Sequence, residues 1–149
     1  MDGPYLIGSV LYNDDEKVAD FVRSQFPHRF DAGWEKFKAL GVVRGAKLIG
    51  GVVFHDYHSA ANDIEISASF MTPSWCLPQT VKLLFDYPLN QLGCKRISAK
   101  TGRKNRCARS FLERLGFKVE GVARRALDGR QDVIHYGLLT EELTWKRSR

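Results

Sequence analysis

The segment KNRCARSFLERLGFKVEG, Lys104–Gly121, constrains the fold most, because its hydrophobic period changes at one glycine. Before Gly116 the apolar residues recur at helical spacing, and from Phe117 they alternate with a period of two. Gly116 stands where a helix would end in a left-handed residue, and Asn105 stands where an N-cap belongs. The segment therefore predicts an amphipathic helix that leads directly into a strand. The predicted apolar face of this helix carries Cys107, Ala108, Phe111, Leu112 and Leu115.

The N-terminal part of the chain predicts one strand and two helices. Its first apolar run has the length of a strand, and an aspartate before the next apolar stripe can cap a helix that proline ends. The i, i+4, i+7 spacing of Phe30, Trp34 and Phe37 predicts a second, shorter helix. The predicted elements are a strand over Tyr5–Leu11, a helix from Asp14 or Asp15 to Pro27, and a helix over roughly Asp31–Ala39.

The rest of the chain predicts two hairpins, two further strands and two helices, one of them the helix that Asn105 begins. Glycines mark the hairpin turns, and proline marks the first turn and the irregular end of the other helix. The predicted elements are a hairpin over Leu40–Tyr57 with Gly45 in its turn, a strand over Asn62–Pro73, a helix within Ser74–Gly93 that Pro88 kinks or ends, a strand over Cys94–Thr101, and a hairpin over Phe117–Thr140 with Gly129 in its turn.

The resulting order is β-α-α-β-β-β-α-β-α-β-β. Strands that alternate with helices in this way predict one α/β (α+β) domain, with a mixed, mostly antiparallel sheet of about six or seven strands flanked by four helices. The 149 residues are enough for one such domain with a core of its own.

Basic residues are concentrated in the C-terminal half of the chain. The net charge is +6, and Lys95–Arg130 holds twelve Lys/Arg against three acids. This imbalance predicts either a solvated basic surface or an anionic partner, which would be a nucleic acid, a phosphorylated cofactor or an acidic protein. Nucleic acid is the least favoured of the three, because the basic residues lack the interleaved exposed aromatics of a base-stacking surface.

The cysteines and the N-terminus indicate a cytoplasmic protein. Cys76, Cys94 and Cys107 are odd in number and far apart, so they fit neither a disulfide framework nor a metal motif. We therefore expect three reduced, mostly buried thiols and no metal. The N-terminus has no basic segment of a signal peptide, and no apolar run approaches the roughly 20 residues that span a bilayer.

This element order, together with the segment RISAKTGRKNRCARSFLERLGFKVEGVARR, resembles the GCN5-related N-acetyltransferases, the GNAT superfamily, over about Tyr5–Glu142. In that family a strand leads to Asn-x-x-Ser/Ala, then a helix, then Gly-Phe and Glu-Gly-x-x-Arg. The matching residues here are Asn105, Ala108, Gly116, Phe117, Glu120, Gly121 and Arg124.

Two finer likenesses concern the branch of the family. The ribosomal-protein-type branch is similar at Asp132, Tyr136 and Gly137. The segments GVVFHDY, IEIS and YPLNQLGCKRI resemble small acetyltransferases of bacteriophages and their bacterial relatives. A phage origin would place the protein in the host cytoplasm.

The resemblance implies acetyl-CoA as co-substrate and a primary amine, on a protein or a small molecule, as acceptor. Acetyl-CoA would lie where two parallel strands splay apart, with its pantetheine arm on the backbone near Phe70 and Met71. Its pyrophosphate would meet the N-terminus of the helix that follows. That corner comprises Trp75, Cys76, Leu77, Gln79 and Thr80, and its loop TPSWCLPQT lacks the glycines usual in the family.

Asn105 has two interpretations that can hold together. The resemblance implies that it reaches toward the cofactor, and helix chemistry alone makes it an N-cap. The neighbouring Arg103, Lys104, Arg106 and Arg109 are candidates for the cofactor's 3′-phosphate, with none singled out.

Glu65 is the candidate general base, because the resemblance places it in mid-strand at the slot where relatives carry a glutamate. It would take the amine's proton through water. His55, at the end of the preceding strand, is the second candidate, since imidazole exchanges protons near neutral pH. Each also has a structural interpretation, Glu65 as an ion-pair partner and His55 as a structural histidine. His58, in a predicted loop, is the weaker histidine.

The proton donor usual in the family is missing. Leu112 stands in the slot of the family's tyrosine, and Ala108 in the slot of its serine. Tyr136 or a water could substitute.

The alternative function is that of a GNAT-fold protein with weak or lost catalysis, which acts by binding a partner protein such as a host protein. The sequence is also compatible with a homodimer.

Overall fold

The structure is a computed structural model that describes residues 3–25, 34–72 and 77–143. In chain order these residues form β1 (Tyr5–Ile7), β2 (Val10–Tyr12), α1 (Asp15–Gln25), β3 (Phe37–Arg44), β4 (Lys47–His58), β5 (Asp63–Phe70), α2 (Pro78–Asp86), a π-helical turn (Tyr87–Gln91), β6 (Arg96–Gly102), α3 (Arg106–Leu115), β7 (Lys118–Leu127), β8 (Gln131–Leu139) and a 3-10 turn (Thr140–Glu142). Among them, no helix combines the length and the apolar character that a membrane span requires.

One mixed sheet organises these elements. Its strand order is β1-β2-β3-β4-β5-β6-β8-β7, and β5 with β6 is its parallel pair, whereas the other neighbours are antiparallel. The predicted mixed, mostly antiparallel sheet is confirmed. The predicted counts were wrong for the described residues, which form eight strands and three α-helices.

Both differences in count arise in the N-terminal part. The predicted single strand over Tyr5–Leu11 is a hairpin, because Gly8 has a φ of 57° and lets Ile7 pair with Val10. The predicted helix over Asp31–Ala39 was wrong at its C-terminal end, where Phe37 begins β3. Residues 31–33 of that helix lie outside the described residues.

Tertiary pairing explains why the helical spacing misled at β3. Phe37 pairs with His55, and Ala39 pairs with Val53 on β4. Ala39 and Val53 are both fully buried under α1. Long-range pairing and burial outweigh a local period that rests on three aromatic residues.

The sheet carries one apolar cluster on each face. Strand β4 shows the division, since Val52 and Phe54 belong to the larger cluster and Val53 to the smaller one. The larger cluster includes the inner faces of α2 and α3, and the smaller one includes α1. Because side chains alternate along a strand, this division also fixes which face each polar residue of β5 and β6 occupies.

The ends of α3 match their predicted chemistry. Asn105 accepts a hydrogen bond from the backbone N–H of Ala108 at 3.1 Å, so the predicted N-cap is confirmed. Gly116 has a φ of 107°, in the left-handed region, and its N–H donates to the carbonyls of Leu112 and Glu113. The residue then allows the chain to leave the helix and enter β7.

Pro88 ends the regular part of the α2 region, as predicted. Helix α2 stops at Asp86, and the chain continues as the π-helical turn. Proline has no N–H for the i−4 bond, and the wider turn accommodates this loss. The N–H of Leu92 donates to the carbonyl of Tyr87 at 3.0 Å.

Cysteine burial was predicted only in part. Cys94 is a buried free thiol, whereas Cys107 is a free thiol that is exposed. The expectation for Cys107 was wrong because burial on α3 is reached only at Leu112 and Leu115, toward the helix's C-terminal end. Cys76 lies outside the described residues.

Replacing Gly51 by alanine is expected to destabilise the fold. A Cβ there would lie 2.6 Å from Cγ1 of Val18 and 3.1 Å from Cγ2 of Val22, so α1 would have to move off the sheet. Overpacking of this kind costs about 1–3 kcal/mol. Urea unfolding of Gly51→Ala measures the loss, with Gly121→Ala as control, since a Cβ at Gly121 meets nothing within 4 Å. Equal stability of the two variants would contradict the packing of α1 on β4.

Candidate functional site

Strands β5 and β6 separate part of the way along their length. Their paired residues run from Asp63 with Arg96 to Ile66 with Ala99. Strand β5 continues to Phe70 and β6 continues to Gly102, so an opening forms between two adjacent strands of one sheet. Parallel strands that part in this way expose backbone groups to a ligand.

The direction of the backbone at the end of β5 suits such a ligand. The N–H of Met71 donates to the carbonyl of Ile49 at 2.8 Å, toward β4. Because successive N–H groups point to opposite sides of a strand, the N–H of Ala68 points to the β6 side, beyond the last β5–β6 pair. Of the two predicted pantetheine residues, Met71 therefore has its N–H already engaged with β4.

The opening has an apolar wall. The rings of Phe70 and Phe111 lie 6.1 Å apart, so the end of β5 contacts α3. Met71 is exposed to 53% at the rim. Leu112, which stands in the slot of the family's tyrosine, is buried in the larger apolar cluster, next to Phe111 in sequence.

The N-terminus of α2 presents backbone donors. Leu77 is its N-cap and makes no side-chain cap bond, and the first turn contains no acid. Gln79 is exposed, while Thr80 is buried and its hydroxyl lies 3.1 Å from Ser9 Oγ. The predicted residues Trp75 and Cys76 lie outside the described residues. The described turn thus offers N–H groups and the helix dipole to an anion, whereas the Thr80 hydroxyl is already engaged.

The four basic residues around the N-terminus of α3 differ in their contacts. Arg109 donates to Tyr136 Oη at 2.9 Å and to the carbonyl of Arg103 at 3.2 Å. Arg103 lies 3.7 Å from a carboxylate oxygen of Asp132. Lys104 and Arg106 are exposed, and within the described residues neither side chain makes an ion pair. These two are the cations most available to a phosphate.

His55 sits in a hydrogen-bonded chain of three side chains. Its Nδ1 lies 2.6 Å from Asp56 Oδ2, and its Nε2 lies 2.8 Å from Ser67 Oγ. His55 is only 5% exposed, and the ring of Trp34 lies 5.5 Å from the imidazole. The imidazole is therefore fixed in orientation by two polar partners and one aromatic ring.

A β-bulge creates this arrangement. His55 pairs with Glu65 and His58 pairs with Asp63, so two residues of β4 oppose one residue of β5. Asp56 takes a φ of 53° in the bulge, a conformation that aspartate tolerates better than most residues. Sequence reasoning placed His55 at the strand end and His58 in a loop, but β4 continues to His58 because pairing resumes after the bulge.

Glu65 lies directly across from His55. Its carboxylate is 3.6 Å from Lys100 Nζ, and it can present an oxygen within 4.8 Å of ligand atoms of His55 and Asp56. The structure therefore brings both predicted catalytic residues together on the α1 face of the sheet. Both imidazole nitrogens already have hydrogen-bond partners, so in this arrangement neither has a lone pair free for a metal ion.

A second polar network on this face was missed by sequence reasoning. Ser98 Oγ donates to Asp63 at 2.9 Å, and Arg96 Nη2 lies 2.8 Å from Glu120 Oε1. The hydrogen bond to Glu120 raises the pKa of Arg96. Alternation along β5 and β6 was the available signal, because Asp63 and Ser98 share a face with Glu65.

Gly137 makes room for this network. A Cβ at Gly137 would lie 2.1 Å from Glu120 Oε2, so the carboxylate occupies the space above the glycine. Glu120 and Gly137 belong to the motifs that carry the family resemblance. Their role in the structure is to hold Arg96 in place across β8.

Tyr136 is held on the opposite face, against α3. Its hydroxyl donates to Glu113 at 2.8 Å and accepts from Arg109 at 2.9 Å. Burial is the largest cause of its raised pKa. The hydroxyl proposed as a substitute acid is thus engaged by two partners, away from Glu65.

Replacing Tyr136 by phenylalanine is expected to weaken the dependence of stability on alkaline pH. A raised pKa in the folded state means that stability is complete below the unfolded value of 10.0 and falls as pH rises through the folded value. Urea unfolding at about pH 8 and about pH 11 should show a smaller fall for Tyr136→Phe than for the wild type. Tyr57→Phe, at a residue 43% exposed, is the control. If Tyr136→Phe lost as much stability between the two pH values as the wild type does, the raised pKa of Tyr136 would be contradicted.

Comparisons with known proteins agree on the fold. No protein-family model matches the sequence, and no curated protein matches it. A solved structure from T. thermophilus, of a protein assigned as an acetyltransferase, has a TM-score of 0.70 and 19% identity over 95% of this chain and 92% of that chain. Mutant forms of the spermidine/spermine N-acetyltransferase SpeG from Vibrio cholerae give a TM-score of 0.64 and 20% identity over 77% and 73%.

A third similar structure is Mycobacterium smegmatis RimJ in complex with CoA-disulfide, with a TM-score of 0.61 and 20% identity over 73% of this chain and 56% of that chain. At these identities the likeness concerns the fold. The described part of this chain therefore has the GNAT-type fold that these acetyltransferases share.

Proposed function

We propose that this protein is an N-acetyltransferase that transfers the acetyl group of acetyl-CoA to a primary amine of a protein or a small molecule. The observation that carries the proposal is the opening between β5 and β6, which begins one residue beyond the pair of Ile66 with Ala99. Glu65 and His55 lie beside the mouth of that opening. A thioester and a proton acceptor would thus meet at one place.

Three groups of this chain fit the parts of acetyl-CoA. Backbone at Ala68–Phe70 suits the amides of the pantetheine arm. The N–H groups at Gln79 and Thr80 suit the pyrophosphate, since a helix N-terminus attracts anions. Lys104 and Arg106 suit the 3′-phosphate, because their side chains are exposed at the N-terminus of α3.

Glu65 removes the proton that keeps the acceptor amine charged, directly or through a water. The neutral nitrogen then attacks the thioester carbon, the carbon–sulfur bond breaks as the carbon–nitrogen bond forms, and the nitrogen releases its second proton to water. Lys100 lies close enough to orient the Glu65 carboxylate, at 3.6 Å. The sulfur leaves as a thiolate that takes its proton from water, because Leu112 and Ala108 offer no acidic hydrogen and Tyr136 is engaged elsewhere.

Glu65→Gln is expected to lower the rate of acetyl transfer by about 10²–10⁴-fold, the usual contribution of a general base. The affinity for acetyl-CoA should stay unchanged, because Glu65 lies on the α1 face of the sheet, where the acceptor amine would bind, and would not contact the cofactor. The measurement is release of the CoA thiol with a polyamine, a lysine-containing peptide and a peptide with a free N-terminus. Glu16→Gln, on the exposed side of α1, removes the same charge and is the control. Wild-type protein that releases no thiol with any of these amines would contradict the proposal.

Lys104→Gln and Arg106→Gln are expected to weaken binding of CoA by several-fold each, while leaving binding of dephospho-CoA almost unchanged. The reason is that only CoA carries the 3′-phosphate with which these cations would pair. Calorimetric titration of both ligands measures the difference. Arg114→Gln, at the far end of α3, is the matched control. An equal loss for both ligands would place the two residues elsewhere on the cofactor.

A further inference from the structure

The Asp56–His55–Ser67 chain has one consistent arrangement of hydrogens when the imidazole is neutral. An ionised carboxylate only accepts hydrogen bonds, so the imidazole Nδ1 carries the hydrogen directed at Asp56. The Nε2 atom is then an acceptor, and Ser67 donates its hydroxyl hydrogen to it over 2.8 Å. This polarity is that of a serine nucleophile with its general base and the carboxylate that orients the base.

The place of Ser67 in the fold is also informative. It follows Ile66, the last residue of β5 that pairs with β6, so it stands where the two strands begin to part. Its side chain is partly exposed, whereas the imidazole behind it is buried. A hydroxyl at the mouth of an opening, backed by a shielded base, can be reached by a ligand.

The β-bulge brings Asp56, the third residue of this hydrogen-bonded group, to His55. A regular strand would point the side chain that follows His55 to the opposite face of the sheet. The left-handed backbone of Asp56 instead turns its carboxylate to the imidazole. Backbone strain of this kind persists where the surrounding structure holds it, and it is common at functional sites.

We propose that Ser67 is a nucleophile that accepts an acyl group from activated esters and thioesters, and that an acyl-serine forms on this protein. This activity goes beyond the direct transfer to an amine described above. It rests on the proposed function only where the acyl donor is acetyl-CoA.

The acyl transfer needs only Ser67, His55 and the acyl donor in its first half. Ser67 Oγ attacks the acyl carbonyl carbon as His55 Nε2 takes the hydroxyl proton. The bond from the carbonyl carbon to the ester oxygen or thioester sulfur then breaks, and the leaving group departs with the proton from the imidazole. In the second half, water or an amine attacks the acyl carbon and gives a proton to His55. The bond from that carbon to Ser67 Oγ then breaks, and His55 returns the proton to the serine oxygen.

The test uses the full chain with two probes, p-nitrophenyl acetate and acetyl-CoA. Each mixture is quenched in acid at short times, and peptide mass spectrometry locates acetyl groups. We expect an acetyl adduct on Ser67 and a burst of nitrophenolate. Ser67→Ala should abolish both, and Ser110→Ala, at an exposed serine of α3, should retain both.

Asp56 acts only by orienting His55, so its role is tested separately, through the rate of the burst. Its side chain is 63% exposed, and its replacement should leave the fold intact. Asp56→Asn should slow the burst by about 10-fold or more, because it favours the wrong imidazole tautomer, and Asp56→Glu should restore part of the rate. Folding of every variant is checked by its urea midpoint.

The outcomes separate this inference from the proposed function. An adduct on Ser67 with p-nitrophenyl acetate, but no binding of acetyl-CoA, supports the nucleophile and contradicts the acetyltransferase. Transfer from acetyl-CoA to an amine with no adduct on Ser67 at any quench time, together with a burst that Ser67→Ala leaves unchanged, overturns the nucleophile alone. Ser67→Cys, which keeps a nucleophile of similar size, should still form an adduct, and its failure to do so would also count against the inference.

Discussion

The parallel pairing of β5 with β6, and its early end, is the constraint on which the rest of the site depends. Pairing from Asp63 to Ile66 keeps the two halves of the sheet in one body. Its loss beyond Ile66 leaves backbone groups of β5 facing an opening instead of a neighbouring strand. Antiparallel pairing of β5 with β4 continues to Phe70, so the edge of the opening stays ordered while its partner is missing.

Because side chains alternate along the strands, the polar residues of the site and the apolar residues of the larger cluster lie on opposite faces of the sheet. Ile64 and Ile66 of β5 lie in the larger apolar cluster, beneath α2 and α3. Glu65 and Ser67 therefore lie on the face that α1 covers only in part. His55 reaches the same face from β4, and Lys100 from β6. A register shift by one residue would bury this whole set and expose the core, which ties the site to the stability of the sheet.

Local rules predicted the features that depend on neighbours in sequence. The N-cap at Asn105, the left-handed Gly116 and the irregular end at Pro88 follow from backbone chemistry at one or two residues. The pairing of Phe37 with His55 depends on another strand, so the same rules gave a helix where β3 begins. Propensity is a weak guide wherever a long-range partner decides the conformation.

The site was predictable to a similar extent. The resemblance to a known family selected Glu65 as a catalytic candidate, and imidazole chemistry selected His55. The structure places the two residues across from each other. The bond from His55 to Asp56 was not visible, because it requires a bulge and a positive φ that no local pattern announced. Ser67 was predicted only as part of the strand over Asn62–Pro73, and its hydrogen bond to the imidazole of a neighbouring strand became visible only in the structure.

Amide hydrogen exchange with and without acetyl-CoA tests most directly whether the opening between β5 and β6 is a cofactor site. Binding there should slow exchange at Ala68–Phe70 and in the first turn of α2, because a bound pantetheine arm and pyrophosphate would occupy these N–H groups. Strand β7, at the opposite edge of the sheet beyond β8, should exchange at an unchanged rate. Unchanged exchange along β5 at saturating acetyl-CoA, or protection confined to another part of the chain, would contradict the assignment of the site.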